Sequence, residues 1–277
     1  MPEGPETKRM ADAIGKALIG KKIESHRLLH QNLQTLRIYD STEIVDVLSL
    51  GKALICRLNN DQSIISHNQL YGKWTVNLKQ TPVKTGRSLR IEFNTETRSV
   101  RLWSATDISV HETKKEKEHP YIKKLGPDVL VKATTIKIIL ARLKSPTFRN
   151  RMLSSLLLDQ GFIAGLGNYL RSEILFFSKV MYYEKPRDLI DEKLSILAEN
   201  IKRVSQRAYY QKGNTLDKTH LKSVYGNHHN FKRLRHMVFN RVSHPCIICG
   251  KNIERVRVGK RRIDFCICCQ ESNDLNK

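Results

Sequence analysis

The chain has no apolar run approaching the roughly 18 residues that a membrane-spanning helix needs. Its start lacks the apolar stretch of a secretory signal, and it contains no low-complexity tract or internal repeat. Acidic residues are scarce, with 27 Asp and Glu against 49 Lys and Arg in 277 residues. These shortages exclude a membrane span and a repeat solenoid. The expectation is a soluble intracellular protein with length for two ordinary domains. The excess of base gives a formal charge of +22, a field that draws polyanions. Nucleic acid is the leading partner, with an anionic membrane surface as the alternative.

Cysteine is sparse as well, with six residues: Cys246, Cys249, Cys266 and Cys269 fall near the C-terminus with Cys268 beside them, and Cys56 lies far away. A disulfide framework does not suit a long intracellular chain. Two C-x2-C pairs with 16 residues between them, 250 to 265, match a four-thiolate zinc ribbon. Cys268 competes with Cys269 for the fourth place, and the C-x2-C bite favours Cys269. Four thiolates close the coordination shell, so the expected Zn(2+), one per chain, is structural. Residues 220–262 carry eleven Lys and Arg against the single acid Glu254, a basic hairpin suited to phosphates.

Periodicity divides the chain. Met10, Ile14, Ala17 and Leu18 share one face of a helix over 5–18. Strands follow in "KALICRL", "QSIISHNQL", "SLRIEFNTETRSVRLW" and "TDISVHE". The charged stretch "ETKKEKEHPYIKKLGPDVL" reads as a solvated linker. Beyond residue 134 the period turns helical, in "TTIKIILARLK", "TFRNRMLSSLLLDQ", "NYLRSEILFFSKV" and "DEKLSILAENIKRVSQRAYYQ". The expected domains are 1–115, β-rich; 116–133, a hinge; 134–225, helical; and 226–277, the cysteine ribbon.

Between two of those helical runs stands "DQGFIAGLGNYL". Gly165 and Gly167 suggest a dinucleotide fingerprint, but Leu170 stands where the third glycine belongs and a helix precedes the motif, so that reading fails. A helix–turn–helix fits better, with Asn168 at the second helix's N-terminus, where it caps the helix or meets a phosphate. The opening "MPEGPE" reads by itself as a capped helix start with acids at the positive end.

Together, "MPEGPE", "SLGKAL", "SHNQLYGKW", "DQGFIAGLGNYLRSEIL" and "HPCIICG…RRIDFCICCQ" resemble the formamidopyrimidine-DNA glycosylase/endonuclease VIII family, on its endonuclease VIII side, over nearly the whole chain. The resemblance implies an α+β multidomain fold: an N-terminal β-sandwich with a flanking helix, then a helix–two-turn–helix domain with a β-hairpin zinc ribbon. It implies a monomeric, nucleoid-associated glycosylase/AP lyase of base excision repair, acting on damaged double-stranded DNA with no catalytic cofactor. Pro2, exposed when Met1 is removed, is the implied nucleophile, Glu3 the general acid, and Glu6 a polar support. Lys52 reaches a phosphate or delivers a proton. Arg261 clamps phosphates, with Arg262 one position away as the alternative register. Lys124 and Asn168 contact phosphates. Gln69, Leu70 and Tyr71, at a hairpin end, fill the gap left by a flipped base and favour oxidised pyrimidines over 8-oxoguanine. A non-catalytic binding module would share the ribbon and the charge, but it leaves Pro2, Glu3, Glu6 and Lys52 unexplained.

Overall fold

The computed structural model describes residues 2–216 and 234–271. Residues 220–233 of the basic stretch, and Met1, lie outside these. The chain divides into two compact units, 1–125 and 126–277.

The first unit begins with helix α1 (Gly4–Leu18). Pro5 sits in its first turn, where the ring presets φ and no amide bond is lost. The helix ends at Leu18, where Ile19 turns extended and Gly20, at φ +67°, completes a tight turn closed by the Lys21 amide on the Leu18 carbonyl at 3.1 Å. Eight strands follow: β1 (Ser25–Leu28), β2 (Ile44–Leu50), β3 (Ala53–Leu58), β4 (Gln62–His67), β5 (Lys73–Leu78), β6 (Leu89–Asn94), β7 (Arg98–Trp103) and β8 (Asp107–Glu112). They form two antiparallel sheets, ordered β1-β6-β7-β5 and β2-β3-β4-β8. Alternation sends Leu54, Cys56 and Ile64 from one sheet, and Phe93, Val100 and Leu102 from the other, into a core shared with Ala11, Ile14 and Leu18 of α1. Burial pushes the Cys56 thiol up to about 12, so this cysteine is inert core. The fold is thus a β-sandwich with a flanking helix.

The outer face of β3 and β4 is also covered: Ala53, Ile55 and Ile65 pack with Ile122. That explains why successive residues, Leu54 to Cys56 in β3 and Ile64 with Ile65 in β4, are apolar on both faces of the sheet. The charged stretch after β8 is therefore not the solvated linker its composition suggests. Two 3-10 turns (Thr113–Glu118 and Ile122–Lys124) tie it to the sheet. Glu116, only 5% exposed, receives Arg57 in a fork at 2.9 and 2.7 Å and the Ser63 hydroxyl at 2.6 Å. On the other sheet, Glu92 accepts from Arg27 at 2.6 Å and from Arg101.

Burial pushes both carboxyls up, but these hydrogen bonds outweigh it and hold both below the usual carboxylate range. A carboxylate depressed by folding stabilises the fold above its unfolded pKa of about 4.3, and that stabilisation is lost as pH falls through the folded value. The melting temperature is expected to drop below about pH 4.3. Glu116→Gln should flatten that drop, read by circular dichroism across a pH series; an unchanged slope would remove Glu116 from the acid response.

The second unit holds α2 (Ile136–Lys144), α3 (Leu153–Leu156), α4 (Asn168–Phe177), α5 (Asp191–Tyr210), the hairpin β9 (Glu254–Val258) and β10 (Arg261–Phe265), and α6 (Ile267–Glu271). Its core joins Ile139, Leu143, Leu170, Ile174, Leu197 and Ile201 to Ile263 and Phe265 of the hairpin. Of the helix expected over "TFRNRMLSSLLLDQ", only α3 forms. The Leu153 and Ser154 amides are taken by the carbonyls of Glu184 and Tyr182, at 2.8 and 2.9 Å. Asp159 and Gln160 then bend the chain with their side chains instead of continuing the helix.

Candidate active site

At the start of α1, Glu3 and Glu6 form a reciprocal capping box. The Glu6 carboxylate accepts from the Glu3 amide at 3.1 Å, and the Glu3 carboxylate turns back to the Glu6 amide. Thr7 donates its hydroxyl to the Glu3 carbonyl at 3.1 Å. Glu3 is buried at 4% exposure, while Pro2 beside it is half-buried. Glu3, the residue that follows Pro2, is thereby tied into the first turn of α1.

Lys52 occupies the two-residue turn between β2 and β3, closed by the Leu50–Ala53 pair. Gly51 takes φ +58° there, as the first position of a turn matching strand twist requires. The Lys52 amide donates to the Tyr121 hydroxyl at 3.0 Å, and the Tyr121 ring meets His67 edge-on at 4.9 Å. Burial, aided by the Lys52 and His119 charges, pushes the His67 imidazole down against the opposing pull of Asp107. Neutral His67 accepts the Gln69 amide on Nδ1 at 3.1 Å, leaving Nε2 as its donor. Nothing local in the sequence marks Tyr121 or His67, because their link to Lys52 is wholly non-local.

Gln69, Leu70 and Tyr71 do not stand at a hairpin end. They form the corner at which the chain leaves one sheet, at β4, for the other, at β5. The corner is tight: Gly72 donates to the Asn68 carbonyl at 2.7 Å, and a Cβ on Gly72 would lie 2.7 Å from that same backbone. Gln69, at φ +45°, is steadied by Asp107 at 3.3 Å. Leu70 and Tyr71 are left 67% and 69% exposed, two large apolar side chains held out on a braced loop. Lys124, also in this unit, is exposed at the end of its 3-10 turn.

In the second unit, the two-turn segment is stapled from several sides. Gln160 accepts the Gly165 amide and donates to the carbonyls of Leu158 and Leu166, each at 3.0 Å. Arg142 donates to the carbonyls of Gly161 and Phe162 at 2.6 and 2.7 Å. Gly126 packs so closely on this turn that an added Cβ would lie 2.3 Å from the Gly161 oxygen. The cap of α4 is Gly167, not Asn168 as its residue type suggests. Asn168 is the first helical residue, half-buried, where its amide stands among the free N–H groups of the helix start.

Two charged residues inside α4 hold the ribbon. Arg171, 1% exposed, donates to the carbonyls of Ser154 and Arg262, both at 2.6 Å. Glu173, fully buried, accepts from the Met237, Val238 and Phe239 amides at 2.8 to 2.9 Å and from Thr215 at 2.7 Å. The only sequence signal for Arg171 and Glu173 is a charge flanked by apolar residues on every helical face. In the hairpin, Gly259 and Lys260 make the turn, with Gly259 at φ +59°. Arg261 beside it is exposed, whereas Arg262 lies over the Phe239 ring at 5.0 Å.

The sulfurs of Cys246, Cys249, Cys266 and Cys269 lie within 4.8 Å of one another. Cys246 and Cys269 are 3.8 Å apart and Cys249 and Cys266 3.4 Å, close to the ~3.8 Å edge of a tetrahedron with 2.3 Å metal–sulfur bonds. Hydrogen bonds from Cys269 and from the amides of Cys249 and Ile248 pull the Cys246 thiol down to about 5. Cys269 is pushed up by its bond to that thiolate and by burial, and Cys266 by burial first. One thiolate thus forms readily and discourages the next, a frustration that a dication relieves. The donor set fits a structural metal ion.

Residues 1–108 match the formamidopyrimidine-DNA glycosylase N-terminal domain, and residues 125–220 match the formamidopyrimidine-DNA glycosylase H2TH domain. Endonuclease 8 of Escherichia coli O9:H4 (strain HS) is 36% identical over 274 residues, covering 98% of this chain and 100% of the relative. Endonuclease 8 of Pectobacterium carotovorum subsp. carotovorum (strain PC1) is 36% identical over 272 residues, with the same coverage. Among solved structures, Lactococcus lactis Fpg (MutM) bound to DNA containing an oxidised pyrimidine shares the fold. Its TM-score is 0.78 at 21% identity, covering 98% of this chain and 100% of that one.

Proposed function

Because the chain belongs to the formamidopyrimidine-DNA glycosylase/endonuclease VIII family, and so is a DNA glycosylase and AP lyase of base excision repair, we propose that it removes oxidised pyrimidines through Pro2 and nicks by β,δ-elimination. The observation that carries this reading is the start of α1, where a buried Glu3 held by Glu6 stands beside Pro2.

Removal of Met1 frees a secondary amine, and an α-amine of pKa about 8 is partly neutral at physiological pH. Its nitrogen attacks the sugar C1′ as the N-glycosidic bond breaks and the base leaves with the amine's proton; Glu3 then protonates the ring oxygen as the C1′–O4′ bond opens. The resulting iminium is cationic of necessity, since a secondary amine keeps no N–H to lose. It acidifies the C2′ proton; loss of that proton expels the 3′ phosphate, and a second elimination expels the 5′ phosphate. Lys52 delivers a proton or holds a phosphate in the first elimination. Arg261, at the hairpin tip, clamps the lesion phosphates and assists the second.

Asn168 and Lys124 bind backbone phosphates, Lys124 with a point charge rather than the two-pronged fork of an arginine. Gln69 pairs with the orphaned base while Leu70 and Tyr71 replace the lost stacking, which offsets the few kcal/mol of unstacking. One zinc ion on the four cysteines holds the hairpin rigid and takes no part in the chemistry. The protein acts as a monomer, in the cell interior and at the nucleoid.

Duplexes with one thymine glycol or one 8-oxoguanine test the substrate class. Thymine glycol strands are expected to give a 3′-phosphate product roughly tenfold faster or more than 8-oxoguanine strands. The opposite preference would move the site to oxidised purines, and two intact strands would remove the glycosylase.

A further inference from the structure

On the outer face of the β1-β6-β7-β5 sheet lies a cavity of about 280 Å³ that the chemistry above does not use. Its floor follows from strand alternation. Lys73 and Thr75 of β5 stand directly opposite Trp103 and Arg101 of β7, and Trp74 and Leu102 between them face the core. The connection between β5 and β6 closes the other side with Lys84 and Arg87. Four cations therefore line one cavity, and no carboxylate lines it. Arg101 is balanced by Glu92, its cross-strand partner on β6, which leaves the charges of Lys73, Lys84 and Arg87 to be answered by a ligand.

Two further cavities of the unit set the contrast. One pairs Arg37 with Asp61 and Glu112, and the other pairs Lys79 with Glu96, so neither has a charge surplus of this size. The cationic cavity is also joined to the corner loop, because the Arg87 guanidinium donates to the Tyr71 carbonyl. A ligand held there sits on the same braced edge as Leu70 and Tyr71.

We propose that this cavity binds a backbone phosphate of the duplex flank next to the lesion, on the side where the corner loop enters. The proposal rests on the DNA-repair reading above. Lys73, Lys84 and Arg87 supply the counter-charge, and the Thr75 hydroxyl on the floor offers a donor to the phosphate oxygens. A contact of this kind carries no sequence information. It fixes how far the corner loop advances into the stack, because the cavity and the loop share Arg87. It lengthens the footprint on one side of the lesion only.

The test is fluorescence anisotropy on a duplex carrying a tetrahydrofuran abasic analogue, titrated over a salt series with wild type, Lys84→Ala and Lys73→Ala/Lys84→Ala. The slope of log K against log salt is expected to become shallower by about 1 for the single variant and about 2 for the double. The difference between variants and wild type should vanish on a duplex truncated on the loop side of the lesion. Slopes unchanged while wild type binds normally would overturn the cavity assignment and leave the enzyme reading intact. No lesion-specific binding by wild type would overturn both. Quenching of Trp103 by inorganic phosphate that the duplex fails to displace would give the cavity to a small anion and overturn the proposal.

Discussion

Glu3→Gln is expected to lose base excision by about 10²- to 10⁴-fold while still nicking an abasic site made beforehand. Glutamine keeps the length and the acceptor oxygen that turns towards the Glu6 amide, so the start of α1 survives. Losing the cap altogether would cost only about 1 kcal/mol, far too little to unfold a domain of this size. The substitution removes only the transferable proton. An abasic sugar already exists in part as the open aldehyde, so the Pro2 amine attacks it without help at the ring oxygen. Borohydride reduction of the abasic duplex should therefore trap Glu3→Gln on Pro2, located by mass spectrometry of the cross-linked peptide. A chain that retains Met1 should trap nothing on either substrate. Wild-type excision by Glu3→Gln would reduce Glu3 to a helix cap and leave the ring opening without its acid.

What could be read from the residues was what depends on near neighbours. The cysteines are the clearest case, because two C-x2-C bites define a donor set wherever the hairpin lies. The choice of Cys269 over Cys268 is local too. At the start of α6, Cys269 joins the cluster with Cys266 three residues earlier, while Cys268 is exposed. The strands β3, β4, β6, β7 and β8 announced themselves by composition and alternation. Strands β1, β2 and β5 did not. The four residues of β1 are mostly exposed and lack an apolar face, and β5 was obscured by the apolar pair Leu70 and Tyr71 just before it.

The errors share one physical origin, since each involves a partner far away in the chain. Gln69 to Tyr71 look like a hairpin tip until β4 and β5 are seen to hydrogen-bond to different strands. The stretch before the glycine turn looks helical until Glu184 and Tyr182 claim its amides. Glu116 looks solvated until Arg57 and Ser63 close on it. The family resemblance supplied the roles of Pro2, Glu3 and Lys52, which no spacing rule distinguishes from ordinary capping or turn residues. It did not supply Tyr121, Arg171 or Glu173, whose work is to hold those groups and the ribbon in place.

Stripping the metal, or replacing Cys249 with Ser, should cost the second unit more than any surface substitution. Binding of structural zinc is worth about 10–16 kcal/mol in isolated zinc fingers, and here part of the unit's own core depends on it. Ile263 and Phe265 pack with Leu170 and Ile174, and they reach that position only while the hairpin is closed. If the hairpin opens, Arg171 loses the Arg262 carbonyl, and the buried Asp264 loses its fork from Arg255, at 2.6 and 3.1 Å. An unpaired buried charge then adds to the loss of metal. The melting temperature should fall by more than about 10 °C, with zinc content going from one per chain to none by elemental analysis. Affinity for a lesion duplex should fall with it, since Arg261 is then held by nothing. Cys268→Ser is the control, expected to keep its zinc and its melting point. Should Cys268→Ser lose the metal and Cys269→Ser keep it, the α6 turn would present the other sulfur. Retention of the metal by both would mean that three cysteines suffice, and a three-cysteine site keeps an open position where this geometry predicts a closed one.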